Sequence, residues 1–111
     1  MGGRIASMVA DRAGVRGLVC LGYPFHPPGS PTRLRVSHLQ ELATPTLILQ
    51  GDRDSLGSRE EISGYTLSKA IKIVYLPDGD HSFKPRKSSG QSYEENIAFA
   101  AREMAAFCAG L

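Results

Sequence analysis

At 111 residues the chain is one domain or a piece of one, and its 41% hydrophobic and 22% charged residues are an ordinary globular balance. The formal net charge of +2 is too small to point to nucleic acid or an acidic membrane surface as a partner. The one basic cluster, Lys84, Arg86 and Lys87 beside Pro85 and Gly90, reads as a solvated loop.

In chain order, residues 3–13 set Ile5, Met8, Val9 and Arg12 at helical spacing. Ala6, Ser7 and Ala10 fill the gaps and Gly14 is a stop. The small residues suit a helix lying close against a sheet. The apolar run of "VRGLVCLGYP" predicts a strand over 16–21. "RLRVSHLQELA" follows a proline-rich loop and predicts a short helix over 36–42. "TPTLILQGD" predicts a strand over 46–50. A capping box, Ser58 with Glu61, opens a helix expected over 58–67, and "IKIVYLPDGDH" gives a strand over 71–76. A second capping box, Ser92 with Glu95, opens the last helix over 92–108. Its stripe is Ile97, Ala100, Ala101, Met104, Phe107, Cys108 and Leu111.

Strands that are apolar without alternation are covered on both faces, as in parallel sheets. The reading is therefore α-β-α-β-α-β-α: an α/β fold with three layers and a parallel sheet joined by right-handed crossovers. Cys20 and Cys108 sit in apolar runs and read as small buried hydrophobes, with no disulfide framework. No signal segment is evident, and no apolar run approaches the ~20 residues that span a bilayer, so a cytoplasmic setting is expected.

Chemistry in such sheets sits past the carboxyl ends of the strands. There the chain carries "GYPFHPPGSP" with Tyr23 and His26, "GDRDSLG" with Asp52 and Asp54, and "PDGDHSF" with Asp78, Asp80 and His81. An acid after one strand and a histidine after the next form the last two-thirds of a Ser…Asp…His order. Histidine takes the proton of the nucleophile, and the carboxylate fixes its tautomer and stabilises the imidazolium. Neighbouring parallel strands lie about 4.8 Å apart, so the two loops can meet.

Asp52, Asp54 and Gly57 fail as a calcium loop, because position five is Leu56 and position twelve is Ser63. The Asp78, Asp80, His81 spacing is not diagnostic of a metal. No metal and no cofactor are expected. Arg4 could hold an anion with the helix N-terminus, but a salt bridge is the favoured reading. His38 belongs to the short helix without a chemical role. Ser7 lies too far along its helix to act as a nucleophile, and Ser55 and Ser82 do not follow a strand–turn–helix elbow.

"MGGRIASMVA" looks like the end of a Gly-x-Ser-x-Gly elbow and the start of its helix. Together with "LVCLGYPFHPPG", "LATPTLILQGDRD" and "LPDGDHSFKPRK", it resembles the C-terminal half of the α/β-hydrolase superfamily, on its dienelactone-hydrolase-like side. Within that side the chain is most similar to the branch of testis-expressed protein 30 and the third regulatory subunit of the NSL histone acetyltransferase complex. The resemblance covers nearly all of residues 1–111, as a single partial domain. It implies a serine hydrolase of ester or lactone bonds whose acid is Asp54 and whose base is His81. The nucleophile would stand immediately before Met1, and the Met1 backbone N–H would be an oxyanion donor.

The first five strands, the elbow glycine, the serine and the second oxyanion donor have no counterpart here. "DSLG" also stands where relatives often have Asp-Pro-Phe-Gly. The chain by itself is therefore expected to be inactive, and to take a small ester or lactone only when completed by the missing half. His26 and Tyr23 face the same rim as candidate substrate contacts; for His26 the favoured reading is a loop residue packed between Phe25 and Pro27. The alternative function is a non-enzymatic interaction module of the same fold. The open edge of the first strand is expected to favour a homodimer, aggregation or loose packing.

Overall fold

The computed structural model describes residues 2–27, 29 and 37–111. Its elements are α1 (Gly2–Ala13), β1 (Leu18–Leu21), a 3-10 turn (Ser37–Gln40), β2 (Thr46–Gly51), α2 (Arg59–Ile62), β3 (Ile71–Leu76), a second 3-10 turn (Lys87–Ser89) and α3 (Tyr93–Ala109). The strands form one parallel sheet in the order β1-β2-β3. Cys20, Ile48 and Ile73 lie side by side across it, as do Leu49 with Val74 and Gly51 with Leu76.

β2 is buried at all six positions, as an uninterrupted apolar run demands of a central strand with helices on both faces. Cys20 and Ile48 pack with Ala10 of α1, Tyr23, Phe25, Leu39, Leu42 and Ile62. Leu47, Leu49, Leu76 and Phe83 pack with Ala100 of α3, and Phe99, Met104 and Phe107 lean on them. The α/β/α layering expected from the sequence is the fold.

Differences from the sequence expectations have local causes. Among the residues of α1 whose burial is described, Ser7 and Ala10 are buried, while Met8 and Val9 are exposed. Close approach to the sheet selects small side chains, and the large apolar pair points away. α2 is one turn, not the ten residues of 58–67. It closes at Ser63 and Gly64, where Ser63 Oγ bonds Glu60 O and the chain turns Tyr65 onto the Phe25 ring. The segment expected as a helix over 36–42 is a single 3-10 turn where it is described. β1 is shorter than expected, starting at Leu18.

α3 carries both expected features of its start, Ser92 capping Glu95 N and the Glu95 side chain returning to Ser92 N. Its buried face, however, is one residue off the expected stripe. Asn96 and Ala100 are buried with Phe99, Met104 and Phe107 partly so, while Ile97, Ala101, Cys108 and Leu111 are exposed. The cause is Asn96, whose amide donates to Pro77 O at 3.0 Å and Phe83 O at 2.9 Å. These two bonds fix the rotation of the helix, and Cys108 is carried to the surface instead of the core.

Candidate active site

β2 ends at Gly51 and turns at once. Asp54 N donates to Gly51 O, and Asp54 Oδ1 accepts Leu56 N at 2.8 Å, an aspartate turning its own loop. β3 ends at Leu76 and enters a tighter loop. Asp78 and Phe83 both have positive φ, 53° and 69°. For a residue as bulky as phenylalanine this costs on the order of 1–3 kcal/mol, so surrounding structure must impose it. The constraints are visible. Asn96 holds Phe83 O, Asp80 Oδ1 accepts Ser82 N and Lys84 N, and Arg86 forks onto the Asp78 carboxylate. The Arg86 guanidinium holds the Asp78 carboxyl down to about 2. Arg53 Nε adds Asp78 O at 3.0 Å and ties this loop to the one after β2.

The two loops meet at one contact. His81 Nδ1 lies 2.7 Å from Asp54 Oδ2. The Asp54 side chain is fully buried and that of His81 is 44% exposed. An ionised carboxylate only accepts, so Nδ1 carries the proton and Nε2 keeps its lone pair. Among the described residues nothing hydrogen-bonds Nε2. The imidazole rests against the backbone at the exit of β1, where a Cβ on Gly22 would come within 3.2 Å of Cε1 and 3.3 Å of Nδ1. The arrangement can accept a proton at Nε2 and stabilise the resulting imidazolium through Asp54.

Of the other residues singled out in the sequence, Asp52 does not touch His81, and its Oδ1 is buried without a hydrogen-bond partner. Tyr23 and His26 present almost no surface, at 0% and 3% exposure. The Tyr23 hydroxyl is 3.2 Å from His38 Nε2, which is 2.7 Å from Ser7 Oγ. Burial and the nearby Arg4 charge hold His38 below its usual range, so this cluster is neutral at pH 7 and braces α1 against the 3-10 turn. Arg4 makes no salt bridge among the described residues, and its Nε is buried without a partner. Met1 lies outside the described residues. Ser55 and Ser82 are exposed beside the pair, and neither hydroxyl bonds His81. Among the described residues no group of three His, Cys, Asp or Glu is placed to hold a metal ion. None of the three grooves described on the surface includes Asp54 or His81.

Sequence reading missed the partner of His26. Its Nδ1 lies 2.9 Å from Pro27 O and its Nε2 3.0 Å from Glu61 Oε2, two acceptors on opposite sides of one ring. Glu61 Oε1 meanwhile accepts Ser58 N in the capping box. One carboxylate therefore caps α2 and clasps the loop after β1. The Ser58 backbone N–H, then the His26 charge, hold the Glu61 carboxyl below its usual range. A depressed folded value gives stability that is present above the unfolded value, about 4.3, and lost as pH falls through the folded one. The urea midpoint of the native chain should therefore fall more steeply between about pH 5 and pH 3 than that of Glu61→Gln, which keeps the cap but not the charge. Equal slopes would remove the clasp from the account.

The sequence matches the family model described as an alpha/beta hydrolase domain over residues 1–109. No solved structure matches the chain. Among the described residues no helix is long and apolar enough to cross a membrane.

Proposed function

Because the chain belongs to the alpha/beta hydrolase domain family, we propose that Asp54 and His81 are the acid and base of a Ser–His–Asp relay acting on ester or lactone bonds. The observation that carries the reading is the 2.7 Å contact between a fully buried Asp54 and an outward-facing His81. The nucleophile is a serine on a strand-to-helix turn immediately before Met1, with α1 as the helix of that elbow. The chain is then the C-terminal half of one domain. His81 Nε2 takes the serine proton as Oγ attacks the carbonyl carbon, and the Met1 backbone N–H stabilises the oxyanion. The proton passes to the leaving oxygen as the ester bond breaks. Water then attacks the acyl-enzyme, giving its proton to Nε2, and the acid is released with serine restored. Tyr23 and His26 fix the shape of the loop that forms one rim of the substrate site. The segments "LVCLGYPFHPPG" and "LPDGDHSFKPRK" support a place in the dienelactone-hydrolase-like branch of testis-expressed protein 30 and the third NSL regulatory subunit.

The test is turnover of a p-nitrophenyl ester. The 111-residue chain should show background rates only. Joined to, or co-expressed with, an upstream half carrying Gly-x-Ser, it should turn over, and His81→Ala should abolish the gain. Activity of the short chain that depends on His81 would mean an internal serine serves and would overturn the assignment of the nucleophile.

A second reading, a non-enzymatic interaction module, has one observation in its favour. Among the described residues β1 pairs on one side only, and Leu21 on it and Met8 on α1 are 58% and 56% exposed. Such an edge can pair with a second copy. Light scattering that returns a cooperative monomer would exclude that pairing.

A further inference from the structure

We infer that Gln50 is a positioning residue for the Asp54–His81 pair, holding the acid in register from inside the central strand. The inference rests on the relay proposed above. Gln50 is fully buried at the carboxyl end of β2, one residue before the turn that carries Asp54. A buried amide in a strand covered on both faces must find partners, and this one finds all of its own in the loops after β1 and β2. Its Oε1 accepts Tyr23 N at 2.8 Å. Its two Nε2 hydrogens are shared among three acceptors, Gly57 O at 2.9 Å, Tyr23 O at 3.1 Å and Asp54 Oδ2 at 3.2 Å.

The orientation of the amide is fixed by chemistry. Tyr23 N is the only donor in the set, so the oxygen must face it and the nitrogen must face the three acceptors. The oxygen it reaches on Asp54 is the same Oδ2 that His81 Nδ1 meets at 2.7 Å. Asp54 Oδ1 is taken by Leu56 N. The carboxylate is thus held at both ends, with its orientation set before any substrate arrives. Rotation that would carry Oδ2 away from His81 breaks the Gln50 and Leu56 bonds together. Gln50 also closes the loop after β1 onto the loop after β2, which keeps Gly22 beneath the imidazole. An apolar residue of equal length would fill the volume and supply none of this.

The test reads the Asp54–His81 hydrogen bond by proton NMR of the 111-residue chain. A far-downfield imidazole N–H signal is expected, assigned by its loss in His81→Ala. Gln50→Met should lose that signal while the dispersed amide spectrum persists; Ile48→Val, which trims the core on the same strand, should keep it. A folded Gln50→Met that retains the signal unchanged reduces Gln50 to core filling and overturns the inference.

Should Gln50→Met not fold, the native chain still decides. The Gln50 side-chain amide resonances should shift in step with the His81 ring protons through a pH titration, since both groups bond one oxygen. Amide resonances indifferent to that titration overturn the inference. These signals exist whether or not the pair hydrolyses anything. A joined enzyme with the signal intact and no turnover therefore defeats the hydrolase reading and leaves Gln50 standing.

Discussion

Asp54→Asn, made in the chain joined to a Gly-x-Ser half, is expected to lower kcat for an ester about 10⁴-fold with little change in KM, the loss that follows when a Ser–His–Asp relay is forced into the wrong tautomer. The local geometry says why. Asparagine can keep its oxygen on Leu56 N, which leaves its NH₂ facing His81 Nδ1 where Oδ2 stood. Two donors cannot share that 2.7 Å contact, so the imidazole proton moves to Nε2. The atom that should accept the serine proton then already carries one. The same NH₂ faces the Gln50 amide nitrogen, so no alternative placement is comfortable. Steady-state kinetics of the purified variant check this. A loss of less than ten-fold would mean that Asp54 is not the acid of the relay.

Gly51→Ala is expected to cost about 3 kcal/mol or more, at the upper end for overpacking, because nothing at the clash can swing aside. A Cβ there would stand 2.1 Å from Asp80 O and 2.4 Å from Gly79 O, both backbone atoms of the loop that carries His81. Arg53 N bonds Gly79 O and Asp52 N bonds Leu76 O, so the two loops are sewn together on each side of the contact. Relief requires the whole His81 loop to lift, which also parts His81 from Asp54. Gly64→Ala is the matched control, since its new Cβ meets only Glu61 O at 3.5 Å, an ordinary contact. Urea unfolding of the two variants should therefore differ by several kcal/mol in the same direction. Equal midpoints would show that the loop can move freely.

The strands, the order of layers and the two capping boxes were legible because each rests on a local pattern. An unbroken apolar run demands cover on both faces, and a serine three residues before a glutamate satisfies orphan N–H groups wherever it occurs. Which face α3 buries was not legible from hydrophobicity. Asn96 sits in the core for the sake of two carbonyls contributed by a distant loop, and a polar residue displaced the apolar stripe by one position. Gln50 and the Glu61–His26 contact were hidden for the same reason, since their partners are brought up by tertiary structure. A signal existed for Gln50, the lone amide in "TLILQGD": a strand buried on both faces does not carry an amide without use for it. That Asp54 and not Asp52 meets His81 follows from the turn at Gly51, which directs the first carboxylate away and brings the second under the imidazole.

Gly22 carries a consequence for how this site can change over generations. Its φ of 72° strains any side chain, and a Cβ there would crowd the His81 carbonyl oxygen at 3.0 Å and the ring at 3.2 Å, although Gly22 stands in a different loop from His81 and far from it in sequence. A mutation at position 22 is therefore felt first at position 81, as a displaced base. Selection that keeps the histidine in place also keeps the glycine empty. Loss of the histidine would relieve only part of this constraint, since a φ of 72° favours glycine at 22 by itself, so a side chain at 22 has to meet both the strained backbone and the crowded ring.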